Sequence, residues 1–243
     1  MARHWVGTSG WTYRNWRGSF YPKELKQGDW LPYYAAHLPS VELNASFYRL
    51  PPESLLKGLV ERTRKDFLVA IKGSRLISHA KRLLHCEDAL AVFLGRIALL
   101  GARAGPVLFQ LPPRFPADPA RLAGFLALLP KNRRFAFEFR DPSWHDEGVY
   151  ALLRAENAAF VPFELADLSA PRVVTADFAY VRLHGHRRYK GAYSETELAD
   201  WAAWLRAQMA QGRDVYSYFD NTDEADHAVR NAIRLNEMLG ESG

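Results

Sequence analysis

Polar and apolar positions alternate along several short stretches of the chain. In the stretch RFAFEFRDPSW, Phe135, Phe137 and Phe139 fall on one side of an extended backbone, and Glu138 and Arg140 fall on the other. Four more stretches alternate in the same way, and their polar face lies near the carboxyl end. The pattern predicts strands whose two faces meet different surroundings.

The alternation and the short apolar runs together predict eight strands. They cover 4–9, 40–48, 67–74, 106–112, 135–141, 159–164, 178–185 and 215–221. Helical segments lie between most of them, which predicts parallel strands with crossover helices. Eight such units in 243 residues favour an α/β fold, a closed TIM-type (β/α) barrel that forms one domain over 1–243. One unit is irregular, because the segment after the sixth strand contains Pro171 and no helical pattern.

The polar strand faces predict a pocket at one end of the barrel. Helices cover the outward face of such a barrel, whereas the inward face opens into loops at its carboxyl end. Charged and amide groups on that face are costly unless they pair with one another or meet a ligand. We interpret them as a ligand pocket, and the alternative is an ion-pair network that only fills the barrel. The groups are Glu42, Asn44, Lys72, Gln110, Glu138, Arg140, Arg182 and His184.

A series of short motifs is spread over nearly the whole chain: GTSGW, VELNASFYRLP, KGSRLISH, VLFQLPPRF, AFEFRDPSW, YVRLHG and YFDN. Together they resemble the YecE-like proteins, a bacterial and archaeal family known as domain of unknown function number 72. The resemblance implies a TIM-type barrel and brings no established reaction. The segment after FVPFEL departs from the family's pattern, because it lacks an acidic strand end.

Three inward-facing residues are candidates for acid/base catalysis. Glu42 and Glu138 are carboxylates on different strands, and such pairs carry out glycoside hydrolysis or proton transfer when their pKa values differ. His184 lies two residues after Arg182 and is the candidate general acid or base. We therefore expect an enzyme of the hydrolase or isomerase class. The alternative for Glu138 is a structural ion pair with a neighbouring cation.

Three cations on the same faces predict an anionic substrate. Lys72, Arg140 and Arg182 combine a point charge with two planar groups that suit carboxylate or phosphate. A sugar-like or nucleotide-like small molecule would satisfy them. The other candidates for substrate binding are Asn44, Asp220, Asn221, Trp11, Tyr13 and His79.

We expect a site without metal or cofactor, and a divalent metal is the alternative. Glu42, Glu138, His184 and Asp220 offer the oxygen and imidazole ligands that hold Mg²⁺ or Mn²⁺. The cations interleaved with them would repel a metal ion. Sequence fingerprints of dinucleotide binding, of a phosphate loop and of a nucleophile elbow do not occur.

Two loops, 10–22 and 185–193, interleave aromatic with basic residues. Such loops stack sugar rings or nucleobases beside phosphates. A nucleic-acid-binding or nucleic-acid-processing protein is therefore one alternative function, and a non-catalytic ligand-binding barrel is another. The net charge of +5 also suits an anionic partner.

Composition bears on the cellular compartment. The single cysteine, Cys86, excludes an intramolecular disulfide. The chain has neither a signal-peptide pattern nor the run of ~20 apolar residues that spans a membrane. We expect a cytoplasmic protein with no membrane partner, and the sequence does not indicate an oligomeric state.

Overall fold

The computed structural model describes residues 2–240, in which ten β-strands form one sheet. The strands are β1 His4–Ser9, β2 Ser40–Leu43, β3 Leu68–Lys72, β4 Ala104–Gln110, β5 Phe135–Glu138, β6 Ala159–Phe160, β7 Phe163–Leu165, β8 Leu168–Ser169, β9 Phe178–Leu183 and β10 Asp214–Phe219. The α-helices are α1 Trp30–His37, α2 Ala45–Tyr48, α3 Glu53–Arg62, α4 Glu87–Ile97, α5 Pro119–Leu126, α6 Glu147–Ala155, α7 Glu195–Ala210 and α8 His227–Gly240.

The sheet closes into a barrel of parallel strands. Its order is β6-β5-β4-β3-β2-β1-β10-β9-β7-β8, so the first strand of the chain pairs with the last long one. β6 and β7 are two parts of one extended stretch interrupted at Pro162, which has no N–H for a continuous ladder. On one side Val161 N donates to Phe137 O at 2.9 Å, and on the other Arg182 N donates to Pro162 O at 3.1 Å. Eight strand positions therefore surround the axis, as predicted.

The irregular unit after the sixth strand is also confirmed. Between Leu165 and Phe178 the chain forms only the short strand β8, which pairs antiparallel with β7, and no helix. The other predicted crossover helices are present as α3 to α8. The helix α7 begins with the capping box of Ser194 and Glu197, in which each side chain bonds the other's backbone N–H.

Two local predictions are wrong. The predicted strand over 40–48 ends at Leu43, because Asn44 has helical backbone angles and Ser46 Oγ donates to Leu43 O at 2.7 Å as α2 begins. The pattern also predicts no helix between the first two strands, where α1 lies. Pro32 falls in the first turn of α1, a place where its missing N–H costs no helical hydrogen bond.

The two faces of β5 have different neighbours, as the alternation predicts. Phe135, Phe137 and Phe139 are buried on the outward side, where Phe137 lies 6.2 Å from Phe125 of α5 between ring centroids. On the inward side, the size of the side chains that fill the barrel differs from strand to strand. Large residues come from β1, β9 and β10, and small or aliphatic ones come from β3 to β6. The inward cluster comprises Trp5, Ala70, Leu108, Ala136, Ala159, Val161, Phe178, Tyr180, Tyr216 and Tyr218.

The half of the interior at the amino-terminal ends of the strands is largely aromatic. The rings of Trp5 and Tyr216 stack with centroids 4.9 Å apart, which joins β1 to β10 at the amino-terminal end. Polar side chains begin one layer higher, towards the carboxyl ends of the strands. No helix within residues 2–240 is long and apolar enough to cross a bilayer.

Candidate functional site at the barrel mouth

The inward polar residues converge at the carboxyl ends of the barrel strands. Each lies at or just beyond the last residues of β2, β3, β5, β9 or β10, where parallel strands end together. The predicted set that meets there is Glu42, Lys72, Glu138, Arg140, Arg182, His184 and Asp220. All of them are buried except Lys72, which is half-buried.

Arg182 lies at the middle of this cluster and is fully buried. Its Nε and Nη2 donate to the two carboxylate oxygens of Glu42 at 3.0 and 2.7 Å, a two-pronged pairing. Nη1 donates to Glu138 Oε2 at 2.8 Å, and Nη2 also donates to Asp220 Oδ2 at 3.1 Å. Protein acceptors therefore engage every nitrogen of the guanidinium. These bonds hold the guanidinium within the protein, and substrate binding by Arg182 stays a prediction.

Glu42 is saturated in the same way. Besides the two bonds from Arg182, it accepts from Ser9 Oγ at 2.7 Å and from Tyr180 Oη at 2.6 Å. Burial and the adjacent Glu42 hold the pKa of Tyr180 well above its usual range, so the hydroxyl keeps the proton it donates. We call Ser9, Glu42, Glu138, Tyr180 and Arg182 the paired centre, because their polar atoms bond one another.

Glu138 is the second carboxylate of the paired centre. It accepts from Arg140 Nε on one oxygen and from Arg182 on the other. Burial alone raises the pKa of a carboxyl, but Arg140 and Arg182 outweigh it and hold the pKa of Glu138 well below its usual range. Glu138 is therefore ionised at neutral pH. Each carboxylate oxygen of Glu42 and Glu138 already accepts from a protein donor, and their catalytic roles stay a prediction.

His184 bridges Arg140 and Asp220 and is fully buried. Arg140 Nη2 lies 3.0 Å from His184 Nε2, and because a guanidinium only donates, Nε2 must accept. The proton is then on Nδ1, which donates to Asp220 Oδ2 at 3.0 Å. The hydrogen bonds thus select one neutral tautomer of His184 and orient the carboxylate of Asp220.

A few polar atoms at the mouth lack a hydrogen-bond or ion-pair partner in the part of the chain that the structure describes. They are Lys72 Nζ, Arg140 Nη1, Asp220 Oδ1 and the buried Asn44 Oδ1. We call Asn44, Lys72, Arg140 and Asp220 the unpaired edge. These atoms, unlike those of the paired centre, have unused hydrogen-bonding capacity in the described residues.

Lys72 ends β3 with its ammonium 4.4 Å from the centroid of the Phe47 ring. Burial and the nearby Arg182 lower the pKa of Lys72 from 10.5 to about 8, although Asp220, Glu138 and Glu42 oppose the shift. His79 packs edge-on against the same Phe47 ring at 5.0 Å, so it does reach the mouth. Burial and Lys72 lower the pKa of His79 to about 4, which leaves it neutral at pH 7.

The remaining predicted binding residues have different positions. Tyr13 donates its hydroxyl to Ser9 O, and burial and Asp220 raise its pKa, so Tyr13 borders the mouth. Trp11 packs into the outer hydrophobic core and lines a cavity with residues of α1 and α3. Asn221 donates to Gly191 O at 2.7 Å and to Asn231 Oδ1 at 3.2 Å, and thereby connects the loop 185–193 to α8.

The two basic-aromatic loops offer few rings to a partner. In the first loop Trp16 and Tyr21 are fully buried, and Tyr21 stacks on Trp30 with centroids 4.6 Å apart. In the second, Tyr193 is buried and Arg187 pairs with Glu224 at 2.9 Å. The first loop is therefore largely an internal plug, which weakens the prediction that it stacks nucleobases.

The point between the three carboxylates of the metal alternative is already occupied by a cation. The guanidinium of Arg182 lies between Glu42, Glu138 and Asp220, in the position that a cation would need. Within residues 2–240 no group of three or more His, Cys, Asp or Glu is arranged to hold a metal ion. The donor set thus fits a guanidinium and not a metal, and the absence of a metal or other cofactor stays a prediction.

Several residues that lie at the site were not among those predicted from the sequence. Ser9 and Tyr180 bond Glu42, Phe47 lies under Lys72, and the Phe163 ring lies 4.6 Å from the guanidinium carbon of Arg140. Ser9 and Tyr180 share the inward parity of their strands, so the alternation contains a signal for them. Phe47 lies in α2, where the predicted strand is wrong.

Similarity to known proteins agrees with the fold. The family model "Protein of unknown function DUF72" matches residues 5–243. The chain is 32% identical to the UPF0759 protein YecE of Escherichia coli over 146 residues, 59% of this chain and 51% of YecE. That alignment spans about half the length of YecE. With the UPF0759 protein YunF of Bacillus subtilis the identity is 27% over 271 residues, covering 97% of this chain and 94% of YunF.

Solved structures include relatives of the same kind. A DUF72 family protein from Thermotoga maritima superposes with a TM-score of 0.87 at 29% identity, covering 98% of this chain and 100% of that one. A DUF72 family protein from Enterococcus faecalis gives a TM-score of 0.82 at 20% identity, with 100% and 97% covered, and at that identity it supports the fold alone.

Proposed function

The chain belongs to DUF72, a family of proteins of unknown function, and from that premise we propose an enzyme that performs acid/base chemistry on a small anionic molecule. The reaction takes place at the mouth of the barrel, above the paired centre. The observation that carries the proposal is the unpaired edge, in which an amine, a guanidinium nitrogen and a carboxylate oxygen lie unbonded beside a saturated ion-pair cluster.

The anion is held by Arg140 and Lys72. Nε and Nη2 of Arg140 are fixed by Glu138 and His184, which leaves Nη1 rigidly placed and free to donate. Lys72 adds a point charge on the neighbouring side of the mouth. Arg75 and Arg82 carry further positive charge to the same region, because both lower the pKa of His79. A sugar acid, a sugar phosphate or a nucleotide offers the matching negative group.

Asp220 is the base. Burial alone raises its pKa, but the hydrogen bond with His184 and the charge of Arg182 outweigh it, so the pKa of Asp220 is lowered and the group is ionised at neutral pH. Its Oδ2 is held by His184 and Arg182, and Oδ1 remains to accept a proton. His184 orients that base, and Glu42 and Glu138 hold the arginines. Hydrolysis and isomerisation both use a base of this kind.

The experiment begins with thermal shifts in the presence of inorganic phosphate, sugar phosphates, sugar acids and nucleotides. Ligands that raise the melting temperature are then tested for turnover by NMR with wild type and Asp220→Asn. We expect Lys72→Met to lose the shift and Asp220→Asn to keep binding but lose turnover. Lys65→Met is the matched control, because Lys65 precedes β3 at the opposite end of the barrel and is exposed.

Each other outcome overturns part of the proposal. If the ligand raises the melting temperature of wild type and of Lys72→Met to the same degree, the anion does not bind at the mouth. A ligand that binds at the mouth without turnover in wild type makes the protein a non-catalytic binding barrel. Affinity for nucleic acid that falls steeply with salt and survives Lys72→Met favours a nucleic-acid binder.

A further inference from the structure

We propose that Lys72 is a nucleophile that forms an imine with the carbonyl group of its substrate, so that the substrate class is small anionic aldehydes or ketones. The inference rests on the proposed function only for the location and the charge of the substrate. It adds a covalent step and names the functional group that must accompany the anion.

The surroundings of Lys72 differ from those of the two lysines that form ion pairs in the described residues. Lys57 pairs with Glu53 at 3.3 Å and Lys131 pairs with Glu156, and all four side chains are largely solvated or at the surface. Lys72 has neither an ion pair nor a hydrogen bond from Nζ in the described chain, and an aromatic ring lies under it. An amine that is half-buried, unpaired and near a cation loses its proton more readily, which frees its lone pair for attack.

The titration of Lys72 supports this geometry. With a pKa of about 8, roughly one amine in ten is unprotonated at pH 7, against fewer than about one in a thousand for an ordinary lysine. The groups that set this value lie on β2, β5, β9 and after β10, and His79 faces the amine from the loop after β3. The groups that set the pKa of Lys72, besides burial, are Glu42, Glu138, Arg182 and Asp220.

A second observation points to a ligand beside Lys72. The register of β2 and β3 pairs Leu43 with Ile71, which brings Asn44 and Lys72 to adjacent positions where the strands end. Asn44 Oδ1 is buried and accepts no hydrogen bond in the described chain, a costly state for an amide oxygen. A hydroxyl group bound next to Lys72 would supply the missing donor.

The chemistry balances without a further reagent. The Nζ lone pair of the unprotonated amine attacks the carbonyl carbon and forms a C–N bond, the C=O π bond breaks, and one of the two Nζ protons transfers to the carbonyl oxygen. The resulting carbinolamine carries the hydroxyl that Asn44 Oδ1 can accept. Loss of that hydroxyl as water, with transfer of the remaining Nζ proton, forms the C=N bond. Imine formation is reversible and leaves a carbon adjacent to the former carbonyl acidic enough for a carboxylate base.

The test uses glyoxylate, an anionic aldehyde, with sodium cyanoborohydride at pH 7. Reduction of the imine by hydride fixes one carboxymethyl group on the amine, which intact-mass and peptide analysis detect. We expect Lys72 to be labelled at least about tenfold faster than Lys65, because burial and Arg182 lower the pKa of Lys72 to about 8 and its ammonium has no ion pair in the described residues. Trypsin then fails to cut after Lys72 and releases the labelled peptide 66–75.

Lys72→Arg is the decisive variant, because arginine keeps the positive charge and forms no such imine. We expect it to retain the thermal shift with phosphate and to lose the preferred label. Glycolaldehyde, a neutral aldehyde, should label wild type more slowly than glyoxylate. Equal labelling of Lys72 and Lys65 overturns the imine proposal. If phosphate still raises the melting temperature of the wild type, the proposed function is unaffected by that result. If phosphate has no effect either, the proposed function fails as well.

Discussion

The paired centre and the unpaired edge occupy the same end of the barrel and differ in how their charges are balanced. Arg182 lies in the paired centre with all its nitrogens bonded to protein acceptors. Lys72 lies at the unpaired edge with no acceptor in residues 2–240. One cation therefore stabilises the fold, and the other is kept in the folded state at a cost in free energy. The difference separates structural charges from functional ones within a single cluster.

Replacement of Arg182 is the change with the largest expected effect. Arg182→Met leaves Glu42 and Glu138 buried without their shared counter-ion, and we expect the free energy of unfolding to fall by about 3–5 kcal/mol. Urea titration at pH 7 measures it. The control replaces the cluster as a unit, with Glu42→Gln and Glu138→Gln added, and should recover most of that loss. A loss below about 1 kcal/mol in the single variant would contradict the assignment of Arg182 to the fold.

Acid should destabilise the protein through Glu138. Because the pKa of Glu138 is lower in the folded protein than its usual value of 4.5, the folded protein binds fewer protons than the unfolded chain in that window. The stabilisation is complete above about pH 4.5 and is lost as the pH falls below it. Urea titrations at pH 6 and pH 3.5 should show a smaller decrease for the triple variant than for wild type. Parallel decreases would exclude the paired centre as the cause.

Replacement of Lys72 should give the smallest change in the free energy of unfolding, and that change should have the opposite sign. Its folded-state pKa of about 8 lies below its ordinary value of 10.5, so the protonated amine is disfavoured by folding at pH 7. Lys72→Met should therefore leave the free energy of unfolding unchanged or raise it by up to about 1 kcal/mol. Chemical denaturation of Lys65→Met should stay within about 0.5 kcal/mol of wild type. A lower free energy of unfolding for Lys72→Met would show that Lys72 stabilises the fold, as the residues of the paired centre do.

The alternation of residue types predicted most of the fold and the faces of its strands. Period-two patterns in β5 and β9 place Glu138, Arg182 and His184 towards the axis because adjacent residues of a strand point to opposite sides. The split of the sixth strand was not predicted, since it depends on how Val161 and Pro162 bond to two different neighbours. A single strand's pattern contains no information on such partners.

The candidate site was predicted as a set of residues and not as a set of bonds. Parity shows that Glu42 and Arg182 face inward, but their bond joins positions 140 residues apart and depends on strand order and stagger. For the same reason the sequence did not distinguish Arg182, which is saturated, from Lys72, which is not. Side chains of either type satisfy the same pattern, and only the three-dimensional neighbours assign them to the paired centre or the unpaired edge.

The pairing of the first strand with the last long one has a consequence for biosynthesis. β1 is made before its partner Asp214–Phe219, which follows it by more than two hundred residues. Until then one edge of β1 has no strand to pair with, and an unpaired edge is a template for wrong association. Glu42 likewise cannot form its ion pair until Arg182 has been made. Between the synthesis of β1 and that of β10, the nascent chain therefore carries a strand edge that has no partner yet, and this edge can pair wrongly with other chains during that time.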